Sequence, residues 1–506
     1  MKRKVRPLAL VLVLIAAAWG GPTQQVYPAP AASPPIALDP QNPHYFLFRG
    51  KAVALITSGE HYGAVINPDV DGRLYLKTIQ AQGFNYTRIF AGSYVEVPGK
   101  SFGIRSNDLA PAPGRFLPPW ARSDTPGYAG GGNKFDLDRW NPAYFTRFRD
   151  FLADASRRGI VVEIGLFSSV YGEAQWALSP LNPANNVNGT DAIDFKKVHT
   201  LNDGNLLAYQ ERYTRKLVEE ANAFDNVIFQ IQNEPWADRP APTDAIGPVN
   251  PYLRGRARDG FPNAAQIADQ ASLTWQARVA GWIRSEEASL PHQHLIAQDY
   301  SNFRYPVREL VPGVSVVNFH YAYPAAVRWN YGLNKPIAYD ETGFLGNDDA
   351  GYRRQAWNFM LSGGGVFDAL DYSFSPGHSD GTDTQPNGPG GGSPGLRRQL
   401  HVLVDFFRSL DLPALHPDFA TVTEAPGTVA RVLSNPGHEY AIYFDGNGPT
   451  GVTLHLPAGR YSVAWVNVET GATHQPGIIR SSGSDLVLKS PPFANGIALR
   501  LTKLAR

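Results

Sequence analysis

Eight short runs of β-branched and aromatic residues recur along this chain, with amphipathic stretches between most of them. The runs cover 52–57, 85–90, 161–167, 227–232, 295–299, 315–320, 336–340 and 367–374. Helical periodicity marks 73–82, 142–158, 206–222, 264–287 and 352–361. A strand buried on both faces reads as an unbroken apolar run, and its parallel neighbour is reached through a crossover helix. Eight such units predict an α/β fold, a (β/α)8 or TIM barrel over residues 46–412, its usual ~250 residues stretched by long loops. An open doubly wound sheet is the alternative, but no Gly-rich phosphate loop follows the first run.

The pattern changes near residue 412. A last helix is predicted over 396–410, and Leu412-Pro-Ala-Leu-His-Pro417 closes it. Only short alternating runs with turn signals follow, which predicts a small all-β sandwich over 413–506. The Gly/Pro tract 385–395 precedes that last helix and reads as a loop over the barrel mouth. At the other end, Lys2, Arg3, Lys4 and Arg6 precede an apolar run from Leu8 to Ala18. That run is about half of the ~20 residues a membrane span needs. Residues 1–25 are therefore expected to be a signal peptide and the mature protein to be secreted or periplasmic, without membrane attachment. Residues 26–45 are expected to be a Pro/Ala-rich lead-in with little structure of its own.

Composition narrows the chemistry. The chain has no cysteine, which removes disulfides, thiolate metal sites and a Cys nucleophile. Losing the four basic residues of the leader turns the formal charge of +1 into −3. Such a surface has no broad field for phosphate, so nucleic acid is not an expected partner. Aromatic residues make up 12% of the chain, enough to line a sugar-binding cleft.

In a barrel the reacting groups sit at the C-terminal ends of strands. The fourth strand ends Ile231-Gln-Asn233-Glu234-Pro235-Trp236, and the seventh ends Ala338-Tyr-Asp340-Glu341-Thr-Gly343. Two glutamates thus finish strands on opposite sides of the barrel. Carboxyls facing each other across a cleft are what glycosidic cleavage requires: one gives a proton to the leaving oxygen, the other attacks or stabilises the sugar cation.

At these motifs the chain resembles the clan A retaining glycoside hydrolases, the group around the family 5 cellulases. The resemblance covers roughly residues 45–412. It implies Glu234 as general acid/base, Asn233 as a contact to the sugar 2-hydroxyl, and Glu341 as nucleophile. It also implies Arg88 as the arginine that orients and ionises Glu341, and His320 as the strand-6 histidine. Such enzymes place a tyrosine two residues after that histidine. Ala322 stands there, flanked by Tyr321 and Tyr323, so either tyrosine is a candidate partner of the nucleophile. They also end strand 8 in a tryptophan, where this chain has Leu370-Asp371-Tyr372-Ser-Phe374, and Tyr372 or Phe374 is the expected substitute.

Glu60 and His61, in the polar cluster Ser58–Tyr62, are further candidate substrate contacts. Of Trp120, Trp140, Trp176, Trp236 and Trp329, two are expected to stack on sugar, Trp236 first. His378-Ser-Asp380-Gly-Thr-Asp383 reads as an acidic turn, and no metal site or cofactor is expected. The sequons at Asn85 and Asn188 matter only in a eukaryotic secretory route, and Asn85 is predicted buried.

The expectation is a monomeric, exported O-glycosyl hydrolase acting with retention on a poly- or oligosaccharide. A carbohydrate-binding protein on a non-catalytic barrel and a transglycosylase using the same residues are the alternatives. Glu234 is expected to titrate high and Glu341 low. Long segments 92–133, 168–203, 237–263 and 375–395 are expected to wall the cleft into a pocket.

Overall fold

The computed structural model describes residues 33–59, 62–243, 265–384 and 390–505. The signal-peptide expectation and the pair Glu60 and His61 lie outside them. Eight parallel strands form the barrel: β1 (Leu55–Ser58), β2 (Tyr86–Phe90), β3 (Val161–Ser168), β4 (Val227–Asn233), β5 (Leu295–Asn302), β6 (Val316–His320), β7 (Ile337–Glu341) and β8 (Val366–Ala369). Helices α1 (Gly72–Ala81), α2 (Pro142–Arg157), α3 (Leu206–Ala221), α4 (Gln270–Glu287), α5 (Pro324–Asn330), α6 (Asp349–Met360) and α7 (Pro394–Arg408) surround it. Their starts are written in the sequence. Asp71, Asp269 and Ser393 each accept a backbone N–H of the first turn, and Asn141 does so ahead of Pro142. No helix links β5 to β6; Pro306, Pro312 and Gly313 interrupt that connection.

The ladder runs β1-β8-β7-β6-β5-β4-β3-β2. Asn85 holds its two ends together: its Oδ1 accepts from Ile56 N and its Nδ2 donates to Ala54 O, both at 2.9 Å. Asn85, predicted buried, is thus half-buried and engaged by its own amide.

Each barrel strand supplies one residue to an apolar floor: Leu55, Tyr86, Val161, Ile228, Ala297, Val316, Ala338 and Val366. Two positions further along every strand stands a polar residue: Thr57, Arg88, Glu163, Gln230, Asp299, Asn318, Asp340 and Asp368, all buried. This is the period of two that a strand imposes. Ile36, Phe46 and Phe48 seal the floor from below. Phe46 and Phe48 belong to a three-stranded antiparallel sheet of Ala37–Leu38, Phe46–Phe48 and Lys51–Val53, which Ile36 directly precedes. The end of the expected lead-in is therefore structured, because its apolar residues close the barrel.

Residues 416–503 form a six-stranded and a three-stranded antiparallel sheet around their own core. The fold is a TIM barrel followed by a β-sandwich. The sandwich leans on α6: the Trp357 and Tyr443 rings stack at 5.6 Å, and Asp445 accepts from Arg354 Nε and Asn358 Nδ2. Two elements differ from the expectation. Loop 92–133 contributes Trp120–Pro126 to a hairpin with Asn133–Trp140, and strand Thr473–Ser481 had no clean alternation to reveal it.

Candidate active site

The chain leaves β4 at Asn233 and turns at once, with Glu234 in the left-handed region at φ 48°. A side chain there costs backbone energy and persists only where surroundings enforce it. Here Glu234 N donates to Asp299 Oδ2 at 3.0 Å, Ser169 Oγ donates to Glu234 O, and Ala237 N donates to the same oxygen at 2.8 Å. Tyr321, just after β6, takes the same conformation at φ 51° and donates its N–H to Glu341 O at 2.8 Å.

These turns bring the two carboxyls together. His320 Nδ1 lies 2.9 Å from Glu234 Oε1 and 3.6 Å from Glu341 Oε2. One oxygen of each glutamate stands within 4.8 Å of the other. Tyr171 OH donates to Glu234 Oε2 at 2.7 Å and accepts from Asn233 Nδ2 at 3.0 Å. Tyr321 OH donates to Glu341 Oε1 at 2.9 Å. Arg88, fully buried, spreads its fork beneath: NH2 donates to Asn233 Oδ1 at 3.0 Å and Gln230 Oε1 at 3.1 Å, and NH1 to Tyr62 OH at 2.9 Å. Glu341 Oε2 is 3.5 Å from both Arg88 NH1 and Tyr62 OH.

Charge is crowded below the site. Asn318 Nδ2 lies 2.7 Å from Glu163 Oε1, 3.1 Å from Asp299 Oδ1 and 2.9 Å from Asp340 Oδ2. Four carboxyls of the polar layer face two cations, Arg88 and His320. Burial, with Asp340 adding repulsion, pushes Glu163 up to about 8. Burial likewise drives Asp368 well above the carboxylate range. Burial opposes the charge on His320, but Glu341, Asp340 and Asp299 outweigh it and hold the ring well above an ordinary imidazole, hence cationic at neutral pH. Asp299 resists its own burial because His320 and Arg88 keep it low. Two triads, Glu234 with His320 and Glu341, and Asp299 with His320 and Asp340, have metal-ligand spacing. Both share the one protonated ring, which is already their counter-charge.

Glu341 departs from the expectation of a low value. Burial, reinforced by Glu234, pushes it up to about 7, against His320, Arg88 and the Tyr321 hydrogen bond. Arg88 spends its closer contacts on Tyr62, Gln230 and Asn233, so at 3.5 Å it does not cancel the burial.

The mouth is a narrow pocket with a cavity volume of about 60 Å³. Both glutamates line it with Asn233, Tyr321 and Tyr372. So do Tyr62, Tyr94, Glu96, Tyr171 and Phe344, none of them foreseen as site residues beyond Tyr62's place in the strand-1 cluster. Other candidates are corrected. Trp236 is 3% exposed and sets its ring edge-to-face with His320 at 5.3 Å, so it has no face to offer a sugar. Tyr323 is buried at 8% exposure with Arg304 over its ring, and Tyr321 is the tyrosine that reaches Glu341. Trp120 and Trp176 are buried, and Phe374 packs on Tyr75.

No protein-family model and no curated protein sequence matches the chain. Solved structures match its fold at low identity. A glycoside hydrolase aligns at TM-score 0.59 and 10% identity, covering 93% of this chain and 97% of its own. A glycoside hydrolase family 5 protein from Bacteroides vulgatus ATCC 8482 aligns at 0.58 and 10%, covering 93% of each. A further chain from that organism aligns at 0.61 and 13%, covering 93% of this chain and 82% of its own. The barrel-plus-sandwich arrangement is thus one that solved glycoside hydrolases also adopt.

Proposed function

We propose that the chain is an exported glycosidase that cleaves O-glycosidic bonds with retention. The observation that carries the reading is that Glu234 and Glu341, at the ends of β4 and β7, converge on one atom, His320 Nδ1, which lies 2.9 Å from Glu234 Oε1 and 3.6 Å from Glu341 Oε2, with one oxygen of each glutamate within 4.8 Å of the other. Double displacement uses carboxyls ~5–5.5 Å apart, whereas inversion leaves ~6.5–9.5 Å for a water. In the first step a Glu341 oxygen attacks the anomeric carbon while Glu234 gives its proton to the departing oxygen. In the second, Glu234 takes a proton from water, which displaces Glu341 and restores the original anomer. Asn233, held by Arg88 and Tyr171, faces the ring hydroxyl next to the reacting carbon.

The nucleophile must be ionised to attack. With burial pushing Glu341 up to about 7, it gains its charge only as pH rises through that value. We expect kcat/KM to rise along an acidic limb near pH 7 in a pH–rate profile.

Glu234→Gln and Glu341→Gln should each lower kcat on an aryl glycoside by at least ~10³-fold, and NMR in the first minutes should show the substrate's own anomer. An inverted product, or full activity in Glu341→Gln, would refute the mechanism. Sugar binding in wild type without turnover would support a lectin-like barrel instead. A basic, apolar leader supports export; recovery of the mature chain beginning within residues 18–26 would test it.

A further inference from the structure

A third carboxyl lines the pocket. Glu96 stands on the loop that follows β2, only 6% exposed, and lines the same pocket as Glu234 and Glu341. The loop holds it rigidly. Its N–H donates to Leu109 O at 2.9 Å, and Asn107 Nδ2 donates to Glu96 Oε2 while Asn107 Oδ1 accepts from Leu109 N at 2.9 Å. The other oxygen, Oε1, has only a long bond from Tyr94 OH at 3.3 Å. Tyr94 in turn packs edge-on to Tyr171, the partner of Glu234. The reaction described above gives this carboxyl no task.

A buried carboxyl with an underused oxygen is costly unless something else bonds to it. The pocket offers what that something would be. Its described lining combines tyrosine and phenylalanine rings with three carboxyls and contains no lysine or arginine. Rings suit the C–H faces of a sugar, and carboxyls suit its hydroxyls. An anionic substituent would meet these carboxyls with no lysine or arginine among the described lining residues, Arg88 and His320 lying buried beneath with partners of their own, which disfavours it.

On the glycosidase reading, we propose that Glu96 is a specificity-determining residue: its carboxyl hydrogen-bonds a hydroxyl of the sugar ring seated between Glu234 and Glu341, and the pocket admits only rings that bear no anionic group. Burial supports the role, since it pushes Glu96 up to about 7 despite the Asn107 bond, so the group can both donate and accept below that pH. The plainer role is a loop brace, in which Glu96 only ties residue 96 to residue 107.

The test uses the full chain and the 4-nitrophenyl glycosides of glucose, galactose, mannose and xylose in both anomeric forms, with the glucuronide. Wild type should hydrolyse at least one neutral glycoside and leave the glucuronide untouched. Glu96→Gln should lower kcat/KM on the preferred glycoside by ~10-fold or more without moving the unfolding midpoint. Monodeoxy analogues of that glycoside complete the cycle. Removing one particular hydroxyl should cost wild type the same factor and cost Glu96→Gln nothing further. If Glu96→Gln and Glu96→Ala only lower the unfolding midpoint and leave selectivity intact, Glu96 is a brace and the proposal falls. Turnover of the glucuronide at the neutral rate overturns the charge rule. Hydrolysis of none of the glycosides overturns the glycosidase reading and this proposal together, whereas activity lost in Glu341→Gln but unchanged in Glu96→Gln overturns this proposal alone.

Discussion

Tyr321 and Tyr171 treat the two glutamates alike: each hydroxyl donates one hydrogen bond to a carboxylate oxygen, at 2.9 Å to Glu341 and 2.7 Å to Glu234. Such a bond favours the charged acceptor. Tyr321→Phe therefore raises Glu341 further above its present value near 7. More of the nucleophile is then protonated at a given pH, so kcat near neutrality should drop by roughly 10-fold and the acidic limb should move to higher pH. A pH–rate series on wild type and Tyr321→Phe checks both. The contrast between these residues also marks what a sequence can disclose. Glu234, Glu341, Arg88 and His320 stand at strand ends or within strands, where the barrel rule alone gives their side of the molecule. Tyr171 and Glu96 stand on loops without periodicity, and only the folded path of those loops carries them to the pocket. Which of Tyr321 and Tyr323 serves Glu341 turned on one left-handed backbone turn, and propensity does not encode that.

The barrel strands were legible to within a few residues, because apolar runs bounded by turns leave few other readings. Less legible was their interior. Polar residues two positions beyond each floor residue interrupt every run, yet only Arg88 among them was singled out, since an isolated polar residue in a strand has no visible partner. The partners lie across the barrel, as Glu163 shows: Tyr86 OH donates to its Oε2 at 2.9 Å and Asn318 to its Oε1. Its value near 8 in the fold exceeds the ordinary 4.5. Between those values the native chain keeps a proton that the unfolded chain has lost. Stability is thus favoured below pH 4.5 and falls as pH rises through 8, by roughly 1.4 kcal/mol per unit at most. Asp368 acts with the same sign. Glu163→Gln keeps the shape and removes the titration, so its stability should decline less between pH 5 and pH 9, as denaturant midpoints at the two pH values would reveal.

Two accessory pieces complete the whole molecule, the sheet under the floor and the sandwich beside α6. Phe46 is fully buried where the sheet closes the barrel, far from the pocket. Phe46→Ala should cost ~3–5 kcal/mol of stability while the folded fraction keeps its kcat, measurable by chemical unfolding beside active-site titration. The barrel itself closes like a bracelet whose clasp is one amide, Asn85, bonded to Ala54 and Ile56. That amide also heads the sequon Asn85-Tyr-Thr87. A glycan is attached through the very nitrogen that donates to Ala54 O, and Thr87 is occupied by Tyr75 OH at 2.7 Å. The closed barrel cannot be modified there, but a nascent chain crossing a eukaryotic secretory membrane can be. Once sugar is on Asn85 the clasp cannot fasten. The choice of production host is therefore a folding variable for this protein: yeast or insect secretion should divide it into an active pool unmodified at Asn85 and a pool glycosylated at Asn85 that never closes, and Thr87→Val, which removes the sequon and leaves the Asn85 amide to bond Ala54 and Ile56, should merge the two.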